Sequence, residues 1–162
     1  MFVIKWLLLA LATLALAALA AGQLGWFKGT PPTNLGVREG RLKLPSSSPN
    51  SVTSQAALYP DHPMRASAQI APLALKGDGP ATLAAIKAIV EGMPGAVVVR
   101  SEPDYLYAQF TTRLMKFVDD TEFWFDPAVG VIQVRSASRV GQGDLGVNRA
   151  RIEAVRQQLA SR

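Results

Sequence analysis

The sequence contains no cysteine and only one histidine, and these two scarcities exclude several kinds of site. Without cysteine there is neither a disulfide bond nor a thiolate metal ligand. The histidine, His62, lies in Tyr-Pro-Asp-His-Pro, which is typical of a surface loop. The chain also lacks a nucleophile elbow, so a catalytic triad built on His62 is not favoured. We therefore predict no metal site and no cofactor.

Acidic residues are also few, with 12 against 17 basic residues and a net charge of +5. The basic residues are spread along the chain without a run of five, and no basic face carries interleaved aromatic residues. Nucleic-acid binding is therefore not expected. The length of 162 residues suffices for one ordinary domain beside the apolar N-terminal part.

The most prominent feature of the sequence is an apolar run over residues 6–22. Together with the apolar residues before Lys5, it reaches the ~20 residues that a helix needs to cross a bilayer. Trp6 at one end and Trp26 at the other are suited to the two membrane interfaces. Residues 1–28 are predicted to be a transmembrane anchor, in contact with lipid through residues 2–27, or a signal segment.

The sequence leaves open whether this segment is retained. Ala18-Leu-Ala20 is a small-residue motif after which a signal peptidase can cut, whereas the long apolar run favours an uncleaved anchor. The local charge count argues against export, because one lysine precedes the run and several basic residues follow it: Lys28, Arg38, Arg41 and Lys43.

The remainder of the chain divides into two parts. Residues 29–63, rich in proline and serine, are predicted to be a linker and an irregular segment. Residues 64–162 are predicted to form an α+β domain: an antiparallel four- to five-stranded sheet in meander order, with two helices packed on one face. The expected elements are a strand at 64–73, a helix that follows the cap Asp78, has its apolar stripe over 83–93 and ends at Gly92-Met-Pro94, strands at 96–100, 105–112, 117–125 and 131–140, and a helix at 145–159.

The last two strands are predicted to pair in one register, since only one alignment keeps the apolar side chains on a single face. In that register Phe123 lies opposite Val134 and Trp124 lies opposite Gln133. Glu122 then lies opposite Arg135. Arg135 is either a cross-strand partner of Glu122 or a ligand-binding residue, and the pattern alone does not decide between them.

The stretch with the most candidate site residues is 131–149. It passes from a strand through three glycines into the last helix. Gly141 to Gly146 has the spacing G-x-G-x-x-G, but the helix after it is not followed by a second strand in this sequence, so a dinucleotide-binding fold is not expected. A glycine loop before a helix can instead bind an anion, or it can be a structural turn capped by Asp144. Leu145 and Asn148 fall on the apolar stripe of this helix, and the amide of Asn148 is expected to find partners among nearby serines.

The sequence contains two sets of candidate site residues. The first is a candidate ligand-binding surface for an anion or a protein partner, consisting of Arg135, Ser136, Ser138, Arg139, Asn148 and Arg149. The second is an alternative acid/base set for a hydrolase or transferase, consisting of Asp119, Asp120 and Glu122.

Three stretches also carry a resemblance to a known family. They are Ser48-Pro-Asn-Ser-Val-Thr-Ser-Gln-Ala56, residues 117–123, and the long Val134-Arg-Ser-Ala-Ser-Arg-Val-Gly-Gln-Gly-Asp-Leu-Gly-Val-Asn-Arg149. They resemble the domain-of-unknown-function family DUF1499 over about residues 36–159. The resemblance implies cysteine at Ser51 and another a few residues earlier, and neither is present here.

The resemblance also implies an exported protein behind an N-terminal membrane segment. We therefore expect a single-pass protein of the inner membrane with its domain on the periplasmic side, or a secreted form after cleavage. Its expected function is that of a binding or accessory module that contacts an anionic small molecule or a protein partner. A hydrolase or transferase that uses carboxylates near Arg135 is the alternative.

Overall fold

The computed structural model describes residues 2–162 and has mixed α+β architecture. In chain order the elements are α1 (Phe2–Gln23), β1 (Ser51–Thr53), a 3-10 turn (Ala56–Leu58), α2 (Arg65–Ala68), β2 (Leu73–Ala74), α3 (Gly79–Glu91), β3 (Ala96–Ser101), β4 (Tyr105–Thr111), β5 (Val118–Asp126), β6 (Val131–Ser138) and α4 (Val147–Ala160).

Helix α1 contains 22 residues with a mean hydropathy of 2.3 over its most apolar window, and none of that window is buried. It is long and apolar enough to cross a membrane, as predicted. An N-terminal helix with these properties is compatible with a membrane anchor and with a signal sequence.

The six strands form one antiparallel sheet in the order β1-β6-β5-β4-β3, and β2 also pairs with β6. Strands β3 to β6 follow one another as the predicted meander. The predicted β5–β6 register is confirmed, since Phe123 pairs with Val134, Trp124 with Gln133 and Glu122 with Arg135. The alternation of apolar residues selects this register, because a slip by one residue would move every buried side chain to the other face.

Residues 51–53 and 64–73 differ from the sequence-based expectation. The predicted strand at 64–73 is wrong: this stretch holds the short helix α2, and the two-residue strand β2 begins only at Leu73. Strand β1 instead lies within the segment 29–63 that was predicted to be irregular, and it pairs antiparallel with β6. Strand β1 has only three residues, too few for a recognisable alternating pattern, and pairing with β6 makes it a strand.

The apolar core lies between one face of the sheet and the helices α3 and α4. Its fully buried members include Ile86 from α3, Ile152 from α4 and Phe123 from β5. Both helices pack on this single face, as predicted, because each has only one apolar stripe to bury. Asp78 accepts a hydrogen bond from the Ala81 N–H and caps α3, also as predicted.

The start of α4 differs from the prediction. The helix begins at Val147, and Leu145 is 103% exposed rather than part of the core. Leu145 has a positive φ of 52°, so the chain turns there and cannot continue the helical stripe. Asp144 still pairs the free N–H groups at the start of the helix, because its carboxylate accepts hydrogen bonds from the N–H groups of Gly146 and Asn148.

The opposite face of the sheet is covered by the segment between α1 and β1. Leu42 is buried there against Tyr105 and Trp124. Gln55 holds the segment in place, since its amide oxygen accepts the N–H of Leu42 and its amide nitrogen donates to the carbonyl of Gly40. Residues 30–48 are therefore part of the folded domain and form one wall of the cleft described below.

Candidate functional site

Strand β5 sends its polar side chains to both faces of the sheet because successive residues alternate. Asp119 and Thr121 point towards α4, whereas Asp120 and Glu122 point towards the segment 30–48. All four residues are buried. Each of the three carboxylates has an arginine partner: Arg151 for Asp119, Arg139 for Asp120 and Arg135 for Glu122.

The helix-side group is a closed hydrogen-bonded network. Arg151 donates to Asp119 Oδ2 at 2.6 Å and to Asn148 Oδ1 at 2.6 Å, and its guanidinium lies 4.3 Å from the ring centre of Phe110. The Ser136 hydroxyl donates to the same amide oxygen and contacts the Thr121 hydroxyl. Because these groups satisfy one another beneath α4, the network holds that helix on the sheet.

Asn148 connects this network to the end of β6, as the sequence indicated. Its amide nitrogen donates to Ser138 Oγ, to the backbone carbonyl of Asn50 and to Asp144 Oδ2. A buried amide on an apolar stripe therefore has all its hydrogen-bonding groups paired. The role of Asn148 is to join α4, β1 and β6.

The other face carries a cleft of about 880 Å³. Its walls are residues 30–34 and 43–48 on one side and the end of β6 with the following loop on the other. The polar and charged side chains that line it include Asn34, Lys43, Ser46, Ser48, Asn50, Asp120, Arg135, Ser138 and Arg139. It is hereafter called the cleft.

Beside the cleft, Glu122 is fully buried, and the two oxygens of its carboxylate have different surroundings. Oε1 accepts hydrogen bonds from the Tyr105 hydroxyl at 2.7 Å and from the Gly36 N–H at 2.8 Å. Oε2 has no hydrogen-bond partner among residues 2–162 and lies 3.6 Å from Arg135 Nη1. Burial, and then the charge of Glu122, raise the pKa of Tyr105, so this hydroxyl remains a donor.

Arg135 is the cation at the base of the cleft. Its side chain is only 5% exposed. Within the described chain its one hydrogen bond runs from Nε to the carbonyl of Leu44, at 3.3 Å. Burial lowers the pKa of Arg135, and Glu122 opposes this shift. Arg135 thus lines the cleft with a guanidinium group that has donors to spare.

Asp120 and Arg139 form the tightest ion pair on this face. Arg139 donates from Nε and Nη2 to the two carboxylate oxygens, each at 2.8 Å. Tyr107 donates to Asp120 Oδ1 at 2.5 Å and itself accepts from Gln109. Such a bidentate pair fixes both side chains and leaves little of the charge of Arg139 free for a ligand.

Lys43 is the second cation at the cleft, and within residues 2–162 it forms no ion pair with a carboxylate. Its ammonium donates to Asn34 Oδ1 at 2.8 Å. Burial lowers the pKa of Lys43, and the positive charge of Arg135 lowers it further. Two cations therefore face one space in which the nearest carboxylates already have partners.

The six candidate ligand-binding residues do not converge on one place. Arg135, Ser138 and Arg139 line the cleft, whereas Ser136 and Asn148 belong to the network under α4. Arg149 lies apart from both, and its guanidinium donates to the carbonyls of Ser67 and Gln69. The alternative acid/base set is split in the same way, with Asp119 on the helix side and Asp120 and Glu122 on the cleft side.

Several important residues were missed in the sequence. Lys43 was assigned to the irregular segment, and nothing local connects it to β6. Arg151, by contrast, lies three residues after Asn148 on the same helix face, so helical spacing would have placed it beside that amide. No cluster of three or more histidine, aspartate or glutamate side chains suited to a metal ion occurs within residues 2–162.

The glycine loop does not present a free helix end. Burial acts to raise the pKa of Asp144, but the N–H groups of Asn148 and Gly146 outweigh it and lower this pKa. The carboxylate thus remains charged and already occupies the position that an anion would take. The loop contributes Gly141 and Gln142 to the cleft wall instead.

Comparison with known proteins identifies one family. The family model described as "Protein of unknown function (DUF1499)" matches residues 41–159, which is more than half of the chain. Comparisons with curated proteins and with solved structures found no match. The matched range includes both walls of the cleft except residues 30–34.

Proposed function

The chain belongs to the DUF1499 family, and because that family has no assigned activity, we propose a function from the cleft itself: the domain binds an anion. The ligand is a phosphate- or carboxylate-bearing molecule whose oxyanion lies between Arg135 and Lys43. The protein acts as a membrane-anchored binding or accessory module.

Arg135 is the observation that carries this proposal. Burying an arginine without a well-formed ion pair is unfavourable, since desolvation of the charge is not offset. Its distance of 3.6 Å to Glu122 Oε2 is too long for a hydrogen bond. An oxyanion in the cleft would accept bonds from both terminal nitrogens in the forked geometry that guanidinium groups prefer.

Lys43 supports the same ligand class from the opposite wall. The like charge of Arg135 disfavours its ammonium form in the free protein. A bound anion would stabilise both cations at once, because a single negative ligand compensates the charges of Arg135 and Lys43 together. Ser46, Ser48 and Asn50 surround the space with neutral hydrogen-bonding groups, which can orient such a ligand without adding charge.

The first test is titration of the full chain in detergent with inorganic phosphate, at constant ionic strength maintained with chloride, by isothermal calorimetry. Glycerol 3-phosphate and acetate serve as further probes that separate phosphate from carboxylate preference. Lys43→Gln and Arg135→Lys are each expected to weaken binding about tenfold, the loss of one charge-assisted hydrogen bond. Lys87→Gln, which removes an equal charge from the helix side, is expected to change nothing.

Equal affinity in Lys43→Gln, Arg135→Lys and the native chain would contradict the proposal, and so would the absence of saturable binding by all three probes. Lys43 is only partly buried, and Arg135→Lys keeps a positive charge beside Glu122, so native-like circular dichroism is expected for each variant. That spectrum separates a lost site from a lost fold.

The lowered pKa of Lys43 makes binding pH-dependent. A neighbouring anion favours the ammonium form and raises this pKa again, so binding takes up protons between the lowered value and the bound value. Affinity for phosphate is therefore expected to fall as pH rises through this window. Proton uptake is measured by calorimetry in two alkaline buffers of different ionisation enthalpy. Uptake of the same size in Lys43→Gln would contradict the assignment.

We propose that the domain lies on the periplasmic side of the inner membrane and that α1 is retained as a single-pass anchor. The length of α1 and its contacts with the domain support retention, whereas the local charge count opposes export. Intact mass spectrometry distinguishes the full chain of 17.3 kDa from a cleaved, secreted form. Labelling of Val129→Cys with an impermeant maleimide in intact cells reports the side of the membrane.

A further inference from the structure

The turn between β4 and β5, residues 112–117, lies directly against the end of α1. Gln23, the last residue of that helix, donates from Nε2 to the carbonyl of Leu114 at 2.7 Å. Gly22 approaches the same turn so closely that a Cβ there would lie 2.9 Å from the carbonyl oxygen of Met115. The turn and the end of α1 are thus in contact through backbone atoms.

Contacts beyond the helix keep this arrangement in place. The rings of Phe27 and Phe117 lie 5.5 Å apart. At Gly29 a Cβ would meet the Cβ of Arg139 at 2.7 Å, so the chain runs tightly along the end of β6. These contacts hold the chain between α1 and the cleft against the domain and fix the turn at the level where α1 ends.

The exposed side chains of this turn are of the kinds found at the boundary between lipid headgroups and acyl chains. Leu114 is 59% exposed, and the two cationic residues Arg113 and Lys116 flank it. Leu24 and Trp26, also exposed, follow α1 directly. An apolar side chain between basic residues, next to an interfacial tryptophan, combines burial among acyl chains with attraction to anionic headgroups.

We propose that the β4–β5 turn docks the domain on an anionic lipid surface beside α1. Leu114 enters the boundary between headgroups and acyl chains, and Arg113 and Lys116 contact lipid phosphates. The docked turn restricts the orientation of the domain and holds the cleft close to the bilayer. This inference rests on α1 as a retained anchor and does not depend on what the cleft binds.

The absence of cysteine allows a direct test. The full chain with Leu114→Cys, labelled with an environment-sensitive fluorophore, is reconstituted into phosphatidylcholine vesicles with and without one quarter phosphatidylglycerol. Val129→Cys is the matched control, because Val129 is 62% exposed in the β5–β6 turn at the opposite end of β5. Leu11→Cys reports insertion of α1.

The label at position 114 is expected to emit at shorter wavelength than the label at 129 and to be quenched at least twofold more by lipids brominated near the headgroup. The difference is expected to increase with phosphatidylglycerol and to lose that increase when Arg113 and Lys116 are both replaced by glutamine. Equal quenching at 114 and 129 would overturn the proposal. Absence of quenching at position 11 would show that α1 does not insert into the bilayer, and it would overturn the proposal too. The phosphate titration would still test the cleft independently.

Discussion

Replacing Arg151 with methionine is expected to lower the free energy of unfolding by about 3–5 kcal/mol, which is the typical cost of removing one member of a buried ion pair. The substitution leaves Asp119 charged and buried without its cation. It also removes a donor from Asn148 Oδ1 and the contact with the ring of Phe110. Chemical denaturation of the native and variant chains in detergent measures the difference.

The control for this prediction is Lys87→Met on α3, which breaks an exposed i,i+4 pair with Glu91. Such pairs contribute about 0.3–0.5 kcal/mol. A double variant that also changes Asp119 to leucine is expected to recover part of the loss, because no uncompensated charge remains. A cost for Arg151→Met as small as that of the control would mean that the helix-side network does not hold α4 on the sheet.

Replacing Glu122 with glutamine is expected to have two opposite effects. Stability falls by about 3–5 kcal/mol, since the buried Arg135 loses its ion-pair partner. Affinity for phosphate rises, because the charge of Glu122 no longer offsets that of Arg135 in the cleft. Added phosphate is therefore expected to raise the melting temperature of this variant more than that of the native chain.

The matched control is Glu91→Gln, an equal change of charge on the exposed helix face, for which neither stability nor the phosphate effect should change. The prediction distinguishes the two interpretations of Arg135 that the sequence left open. If Arg135 is only a cross-strand partner, stability falls and phosphate has no larger effect. If it also binds an anion, both changes occur together.

The two faces of β5 have different roles for a simple geometric reason. On the helix side, Asp119 accepts a hydrogen bond from Arg151 of α4, and that helix covers the strand. On the cleft side no helix covers the strand, and the irregular segment 30–48 leaves a gap beside Arg135. The same alternation of charged residues therefore produces a structural network on one face and an open cationic site on the other.

Much of the fold followed from local patterns. The amphipathic stripe of α3, its aspartate cap and the strong β preference of β3 to β6 depend on residues close in sequence. The β5–β6 register was determined by the position of Phe123, Phe125, Ile132 and Val134, since only one alignment places all four on the core face. The family resemblance likewise depended on contiguous motifs, and the family match confirmed it.

The placement of β1 and of the cleft could not be obtained in this way. Ser51-Val-Thr53 has little strand pattern of its own, and it becomes a strand because β6 offers an unpaired edge. Lys43 and Arg135 are separated by about ninety residues, and their meeting depends on how Leu42 and Gln55 hold the intervening segment on the sheet. Neither contact leaves a local signal.

By itself, the sequence determined that the chain has an apolar N-terminal helix, an antiparallel sheet with two amphipathic helices, and a β5–β6 register that pairs Glu122 with Arg135. Each of these depends on a repeating pattern of apolar side chains, which a linear sequence displays directly. Only the tertiary structure decided which charged residues share a space. That choice arises from long-range packing: α4 closes one face of β5, and the irregular segment 30–48 leaves the buried Arg135 facing a cleft on the other.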